Sequence, residues 1–89
     1  MPYKVRLHRE VARTLEGMSP QLRSRIIRGL RVLEANPYES RAGADIVRLR
    51  GTKGREDLFR LRIGDYRVIY AVEAKVVYIT DIFPKGKGY

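Results

Sequence analysis

The hydrophobic pattern changes its period near residue 45, from the spacing of a helix to the alternation of a strand. Two helical stripes come first: Val11, Leu15 and Met18, then Leu22, Ile26, Leu30 and Leu33. Candidate strands follow at 45–50, 57–63, 66–73 and 75–82, and a weaker alternation at 2–7 adds a strand at the N-terminus. This order predicts an α+β fold in which an N-terminal strand and a helical hairpin pack on a mainly antiparallel β-sheet.

Short local signals bound the two predicted helices. Gly17 predicts the end of the first helix, and Ser19-Pro20 supplies the N-cap and the first-position proline of the second. Asn36-Pro37 ends the second helix, because the residue before a proline avoids the helical conformation. Two helices joined by so short a connection form an antiparallel hairpin with one apolar seam.

Length and composition limit the class of protein. The 89 residues suit one domain, spanning 1–89, and leave no room for a second core. The chain has no cysteine, which excludes disulfides and thiolate metal sites and suits a reducing compartment. No apolar run approaches the ~20 residues of a membrane span, and the N-terminus lacks the apolar stretch of a secretory signal. We therefore expect a cytoplasmic protein with no membrane partner.

Positive charge is in large excess. The chain has 19 Lys and Arg against 10 Asp and Glu, a net charge of +9, and arginine supplies 14 of the 19. The guanidinium group is permanently charged and presents a planar fork of donors that fits phosphate. The excess therefore favours an anionic partner. Arginines that are merely solvent-exposed would give the same composition, so a site can be located only from where the charged residues lie.

The segment from Phe59 to Ile63 alternates apolar with basic residues, so one face of this predicted strand carries Arg60 and Arg62. Gly64-Asp65 follows as a two-residue hairpin turn, since glycine tolerates the positive φ of a primed turn. Such a turn pairs Arg62 with Arg67 and places the three arginines on one face.

The strand before this hairpin is predicted to behave in the same way, with Val47 and Leu49 on the apolar side and Arg48 and Arg50 on the basic side. No acid is interleaved on the same face of these strands. Crowded arginines without carboxylates are typical of a phosphate-binding surface. The alternative is a solvated face whose arginines extend into water or pair with acids from elsewhere in the chain.

Neither a histidine pair nor a metal cluster can be assembled from this sequence. The single histidine, His8, lies at the predicted start of the first helix. Glu56 and Asp57 lie at a strand start and Asp65 lies in a turn, whereas two-metal phosphoryl chemistry needs several convergent carboxylates. We expect no metal site and no cofactor.

Most of the chain resembles the RelE/ParE superfamily of toxins. The resemblance is carried by Leu49-Arg50-Gly51, Phe59-Arg60-Leu61-Arg62, Gly64-Asp65-Tyr66-Arg67-Val68-Ile69-Tyr70 and Val76-Val77-Tyr78-Ile79. It also covers the helical hairpin that precedes the sheet. The resemblance implies a RelE-like fold and a partner antitoxin. For the RelE branch it implies cleavage of mRNA in the ribosomal A site.

The resemblance also implies roles for individual residues. Arg67 corresponds to the sheet arginine that holds the scissile phosphate, and Arg62 or Arg60 corresponds to the basic residues of the neighbouring strand. Lys85-Gly86-Lys87-Gly88-Tyr89 is similar in composition to the family's basic cluster and tyrosine, but its spacing differs. The implied catalytic residues are Arg62, Arg67, Lys85, Lys87 and Tyr89, and the implied RNA-binding residues are Arg48, Arg50 and Arg60.

Cleavage of RNA suits such a residue set. RNA supplies its own nucleophile, the 2′-hydroxyl, so the protein need only align it with the phosphate and stabilise charge. Proton transfer would fall to Lys85, Lys87 or Tyr89. The expected function is that of a ribosome-dependent mRNA endonuclease toxin, a metal-independent mRNA interferase.

Other functions stay open. A ParE-like toxin would inhibit DNA gyrase without a basic catalytic face, whereas Arg60, Arg62 and the 85–89 tail favour the nuclease. An inactive relative that binds RNA or DNA as a repressor partner is the third alternative. The tail could also be a frayed terminus, although Phe83-Pro84 just before it can fix its direction.

The expected partners follow from the toxin interpretation. The cognate antitoxin should be RelB-like and should cover the basic face with an amphipathic, acid-rich helical segment. In the RelE interpretation, the ribosome and its mRNA are the other partners.

Overall fold

The computed structural model describes residues 2–49 and 57–87 of the chain. Their elements, in order, are β1 (Lys4–Leu7), α1 (Arg9–Glu16), α2 (Pro20–Leu30), α3 (Val32–Ala35), β2 (Asp45–Arg48), β3 (Leu58–Ile63), β4 (Tyr66–Glu73) and β5 (Val76–Pro84). The predicted α+β order is confirmed, and the second predicted helix is divided into α2 and the short α3. None of these helices, within the described part of the chain, is long and apolar enough to cross a membrane.

Local capping sets the helix ends where the sequence predicts them. The Nδ1 atom of His8 accepts a hydrogen bond from the Glu10 N–H at 3.1 Å, so the single histidine is the N-cap of α1. Ser19 Oγ accepts from the Leu22 N–H at 3.2 Å and begins α2, with Pro20 in the first turn. These contacts satisfy backbone donors that a helix start leaves without intrahelical partners.

The five described strands form one sheet in the order β1-β5-β4-β3-β2. The N-terminal strand β1 pairs parallel with β5, and the other neighbours are antiparallel. The N-terminal strand therefore joins the same sheet, as predicted from the need to pair its backbone groups. Strand β5 runs two residues past its predicted end, because Pro84 still lies opposite Tyr66.

The predicted turn at Gly64-Asp65 joins β3 to β4. Gly64 has φ +56°, which is the positive angle that the first central residue of a type II′ turn requires. Ile63 lies opposite Tyr66 and Arg62 opposite Arg67, so the predicted register is confirmed.

The predicted facing of β2 is wrong by one residue. Ile46 is only 6% exposed and lies opposite Leu61, whereas Val47 is 44% exposed and lies opposite Arg60. The sequence alone allows either residue to face the core. In the structure Ile46 packs into the core beside Leu61, so Val47 faces outward.

The core lies between the helices and the face of the sheet that carries Leu61, Val68 and Tyr70. Tyr70 is completely buried, and its hydroxyl donates to the Pro37 carbonyl oxygen at 2.7 Å. Its ring stacks on Phe59 with centroids 5.5 Å apart. This hydrogen bond attaches the loop after α3 to the middle of the sheet.

The β4–β5 turn offers a test of stability. Ala74 and Lys75 form its two-residue loop, and both have positive φ (51° and 68°), as in a type I′ turn. Positive φ is sterically unfavourable for alanine and less so for asparagine. Ala74→Asn should therefore raise the free energy of unfolding by about 0.5–1 kcal/mol. Ala74→Val, with a β-branched side chain, should lower it. Urea denaturation of the three proteins checks this, and equal midpoints would contradict it.

A second test concerns the buried hydroxyl of Tyr70. Burial raises the pKa of Tyr70 above its ordinary range, and nearby Arg41 lowers it only in part. Because the folded protein keeps the neutral hydroxyl, the contribution of Tyr70 to stability is complete below the ordinary tyrosine pKa of about 10 and is lost as the pH rises above it. Near neutral pH, Tyr70→Phe should lower the free energy of unfolding by about 1–3 kcal/mol, because it leaves the Pro37 carbonyl unpaired.

Denaturation at neutral and at strongly alkaline pH would measure both effects. The stability of Tyr70→Phe should fall less steeply with alkali than that of the wild type. Tyr78→Phe is the matched control, because Tyr78 is 39% exposed. A steeper alkaline loss in Tyr70→Phe would contradict the assignment.

Candidate nucleic-acid interface

Three arginines share the face of the sheet that is turned away from the helices, which we call the outer face. Arg60 and Arg62 lie two residues apart on β3, and Arg67 on β4 lies directly opposite Arg62. On the inner side, Leu61 and Val68 between them are 1% and 0% exposed. The prediction that these arginines share one face is confirmed, because the buried residues fix the alternation.

An acid accompanies these arginines, contrary to the prediction that none is interleaved. Asp45 lies opposite Arg62 in the β2–β3 register, and its Oδ1 is 3.1 Å from Nη2 of Arg60. The Arg60 side chain is 23% exposed and that of Asp45 is 51% exposed. The Nε atom of Arg60 is buried without a hydrogen-bond partner among the described residues. Asp45 therefore partly neutralises Arg60 and directs its guanidinium along the sheet.

Arg67 is held by the hairpin turn itself. Its Nη1 donates to the Tyr66 carbonyl oxygen at 3.2 Å and to the Gly64 carbonyl oxygen at 3.4 Å. Within residues 2–49 and 57–87, no carboxylate lies within 4.0 Å of either Arg67 or Arg62. The turn thus orients the Arg67 guanidinium while leaving the positive charge of this arginine pair without a described counterion.

The C-terminal segment folds back against the same turn. The Lys85 N–H donates to the Asp65 carbonyl oxygen at 2.6 Å, and the Lys87 N–H donates to the Pro84 carbonyl oxygen at 3.1 Å. Gly86 between the two lysines has φ +84°, as the third residue of a type II turn requires. The described part of the tail, through Lys87, is therefore held in a turn by backbone hydrogen bonds. It brings two ammonium-bearing residues to the end of the sheet where Arg67 lies.

The remaining predicted site residues do not all join this group. Arg48 lies opposite Phe59, on the inner-facing row of β2, and forms an ion pair with Asp57. Its predicted place on the basic face is wrong, and the one-residue error in the facing of β2 is the reason. Arg50 and Tyr89 lie outside the described residues.

Sequence reasoning missed two contributors, Asp45 and Arg25. Arg25 on α2 extends across the hairpin turn: a Cβ atom at Gly64 would lie 2.5 Å from its Nη2. A cleft of about 360 Å³, lined by both Gly64 and Arg62, opens next to this contact. No local sequence pattern indicates the approach of Arg25 to the turn, because it depends on the packing of α2 against the sheet.

Within residues 2–49 and 57–87, no group of three or more His, Cys, Asp or Glu is arranged to hold a metal ion.

Comparison with known proteins places this geometry in a family. A family model described as the ParE toxin of the type II toxin–antitoxin system parDE matches residues 5–89. The toxin chain in the archaeal RelE–RelB complex of Pyrococcus horikoshii is 37% identical, over 99% of this chain and 100% of that one, with a TM-score of 0.81. The chain belongs to the RelE/ParE superfamily of toxins.

One curated protein and one further solved structure are also similar to this chain. A Methanocaldococcus jannaschii protein classed as a candidate toxin, RelE1, is 29% identical over 91 residues, covering 100% of this chain and 97% of its own length. A chain in the RelB–RelE complex of Methanococcus jannaschii has a TM-score of 0.61 at 17% identity, over 88% of this chain and 87% of that one, a likeness of fold alone. Both the ParE and the RelE branches of the superfamily are thus represented among the matches.

The Asp45–Arg60 contact predicts a change in anion binding. Asp45→Asn should strengthen binding to a single-stranded oligonucleotide roughly threefold at low salt, because Arg60 then presents an uncompensated charge. Stability should change little, since the Asp45 side chain is about half exposed and solvent screens the ion pair. Glu73→Gln makes the same charge change at the far end of β4 and should have a much smaller effect. Fluorescence anisotropy at two salt concentrations measures both; equal gains would show that only net charge matters.

Proposed function

We propose that this RelE/ParE toxin is a ribosome-dependent endoribonuclease that cleaves mRNA by attack of the 2′-hydroxyl, without a metal. The observation that carries the proposal is the direct pairing of Arg62 with Arg67 on the outer face. Two like charges opposite each other on paired strands are unfavourable. An anion between them removes that repulsion, and a phosphodiester matches the donor fork of each guanidinium.

The chemistry would proceed by internal transfer. The 2′-oxygen of the ribose attacks the adjacent phosphorus, and the bond from phosphorus to the 5′-oxygen of the next nucleotide breaks. Arg67 and Arg62 stabilise the negative charge that builds on the non-bridging oxygens. A base removes the 2′-hydroxyl proton, an acid protonates the leaving 5′-oxygen, and the products are a 2′,3′-cyclic phosphate and a 5′-hydroxyl.

Lys85, Lys87 and Tyr89 are the proposed groups for these proton transfers. The Lys85 N–H bonds to the Asp65 carbonyl oxygen in the turn that also holds Arg67, and the Lys87 N–H bonds back to Pro84. A proton donor or acceptor must come within hydrogen-bond reach of the reacting oxygens, which a tail tied to this turn allows. Arg60 would bind the same RNA strand, and the ion pair with Asp45 reduces the effective charge of Arg60.

A cognate antitoxin is the proposed protein partner. The compared Pyrococcus horikoshii and Methanococcus jannaschii toxins are seen in complexes with RelB. We expect a RelB-like, acid-rich helical segment that covers the outer face, since carboxylates would pair with the arginines that otherwise take phosphate. Toxin, antitoxin and the ribosome with its mRNA would meet in the cytoplasm.

Gyrase inhibition of the ParE kind is the second candidate. The family model bears the ParE description, and the Asp45–Arg60 ion pair reduces the charge of the outer face. Gyrase inhibition does not require Arg62 to stay opposite Arg67 with no carboxylate within 4.0 Å of either in the described structure. That pairing favours the nuclease.

Mapping of mRNA ends on translating ribosomes tests the proposal. Arg67→Ala should slow cleavage about 10²–10³-fold, because a positioned donor to the transition state is lost. Arg28→Ala removes an exposed arginine of α2 and is the matched control, with cleavage near that of the wild type. The wild type should stay active in EDTA and should stop growth, whereas Arg67→Ala should not.

The nature of the products separates the alternatives. Products that carry only 3′-hydroxyl ends would refute internal attack. Intact mRNA together with gyrase-linked DNA damage would assign the chain to the ParE-like activity instead.

A further inference from the structure

The cleft beside the outer face has the size and the charge of a ligand site. Its volume of about 360 Å³ lies within the range typical of small-ligand pockets. It opens between α2, the loop before β2 and the β3–β4 turn. The residues that line it are Gly29, Arg41, Gly43, Ala44, Asp45, Arg62, Ile63 and Gly64.

Arginines from three separate elements surround this cleft. Arg62 lines it from β3, Arg41 lines it from the loop, and Arg25 reaches its edge from α2, where it lies against Gly64. The Arg41 guanidinium already uses three of its N–H donors on the carbonyl oxygens of Val32, Asn36 and Glu39, so it contributes mainly positive potential. Arg25 and Arg62 have more donors available to a ligand.

Little in the described structure opposes this positive charge. Asp45 is the single acid among the lining residues, and its carboxylate is directed to Arg60. Arg25 forms no ion pair with any residue in 2–49 and 57–87. At Gly43 the space beside the cleft wall is open, and at Gly64 the Arg25 guanidinium itself occupies the place that a side chain would take.

We propose that this cleft is a second phosphate subsite, which binds a phosphodiester that flanks the scissile one on the same RNA strand, with Arg25 and Arg62 as its ligands. This rests on the proposed nuclease function. Arg62 connects the two subsites, because it lies opposite Arg67 on the outer face and also lines the cleft. An RNA strand that runs from Arg67 past Arg62 reaches Arg25 at the hairpin turn, where the absence of a Gly64 side chain lets the Arg25 guanidinium approach the sheet.

Length-dependent binding tests the subsite without any need for cleavage. The probes are 2′-O-methyl oligoribonucleotides, which cannot undergo internal attack: a dinucleotide with one phosphodiester, and longer oligomers. Arg25→Ala should weaken binding of the longer oligomers roughly fivefold and reduce the slope of log affinity against log salt by about 0.7. Binding of the dinucleotide should not change. Arg25→Lys should restore part of the affinity, because it keeps the charge without the fork.

Arg31→Ala is the matched control. Arg31 borders a groove with Val5 and Leu7 on the β1 side of the helices, away from the cleft, and its loss removes the same charge. It should leave the binding of both probes nearly unchanged. Arg25 lies inside α2, and Arg31 joins α2 to α3 with φ −63° and ψ −24°, a backbone conformation that alanine adopts readily, so neither variant should unfold the protein.

The possible outcomes test the subsite and the nuclease activity separately. Equal weakening of short and long oligomers by Arg25→Ala, or no weakening of either, would overturn the subsite. So would unchanged oligomer binding combined with weaker binding to ribosomes that lack mRNA, since the phosphate would then belong to rRNA. A length-dependent loss in a protein that cuts no mRNA would support the subsite while refuting the nuclease.

Discussion

The register of the β3–β4 hairpin is the constraint on which the rest of the site depends. Arg62 and Arg67 stand opposite each other, an unfavourable arrangement by itself. The strands cannot slip to relieve it, because a shift of one residue would turn the buried side chains of Leu61 and Val68 towards solvent. Hydrophobic burial on the inner face therefore maintains electrostatic repulsion on the outer face. A bound anion is the simplest means of relieving that repulsion.

The same turn also serves as an attachment point for parts of the chain that are distant in sequence. Its carbonyl oxygens hold the Arg67 guanidinium and the Lys85 backbone N–H, while Gly64 leaves room for Arg25 from α2. A side chain at Gly64 would both strain a positive φ and displace Arg25. One small residue thus allows the strand reversal and the approach of a cation from the helical layer.

How much the sequence could predict follows from the range of the interactions involved. The hairpin face that carries Arg62 and Arg67 was predictable, because its turn signal and both alternating strands lie in one short segment. The facing of β2 was not. Ile46 and Val47 are adjacent β-branched residues, and only contact with Leu61 across the sheet selects Ile46. Arg48 was misplaced and the Asp45–Arg60 pair overlooked for the same reason. The cleft joins α2 to a strand turn, a contact that no local pattern encodes.

Asp45 makes the positive charge of the outer face uneven. It forms an ion pair with one guanidinium, that of Arg60, and leaves Arg62 and Arg67 without an ion pair in the described structure, although it lies opposite Arg62. Because the Asp45 side chain is about half exposed, solvent screens the ion pair and a stronger anionic ligand can compete for Arg60. A phosphate would therefore meet the unneutralised Arg62–Arg67 pair first, and Arg60 would join only as the strand extends. The position of one carboxylate would thus favour a single point of entry for a phosphate group over nonspecific adsorption across the whole face.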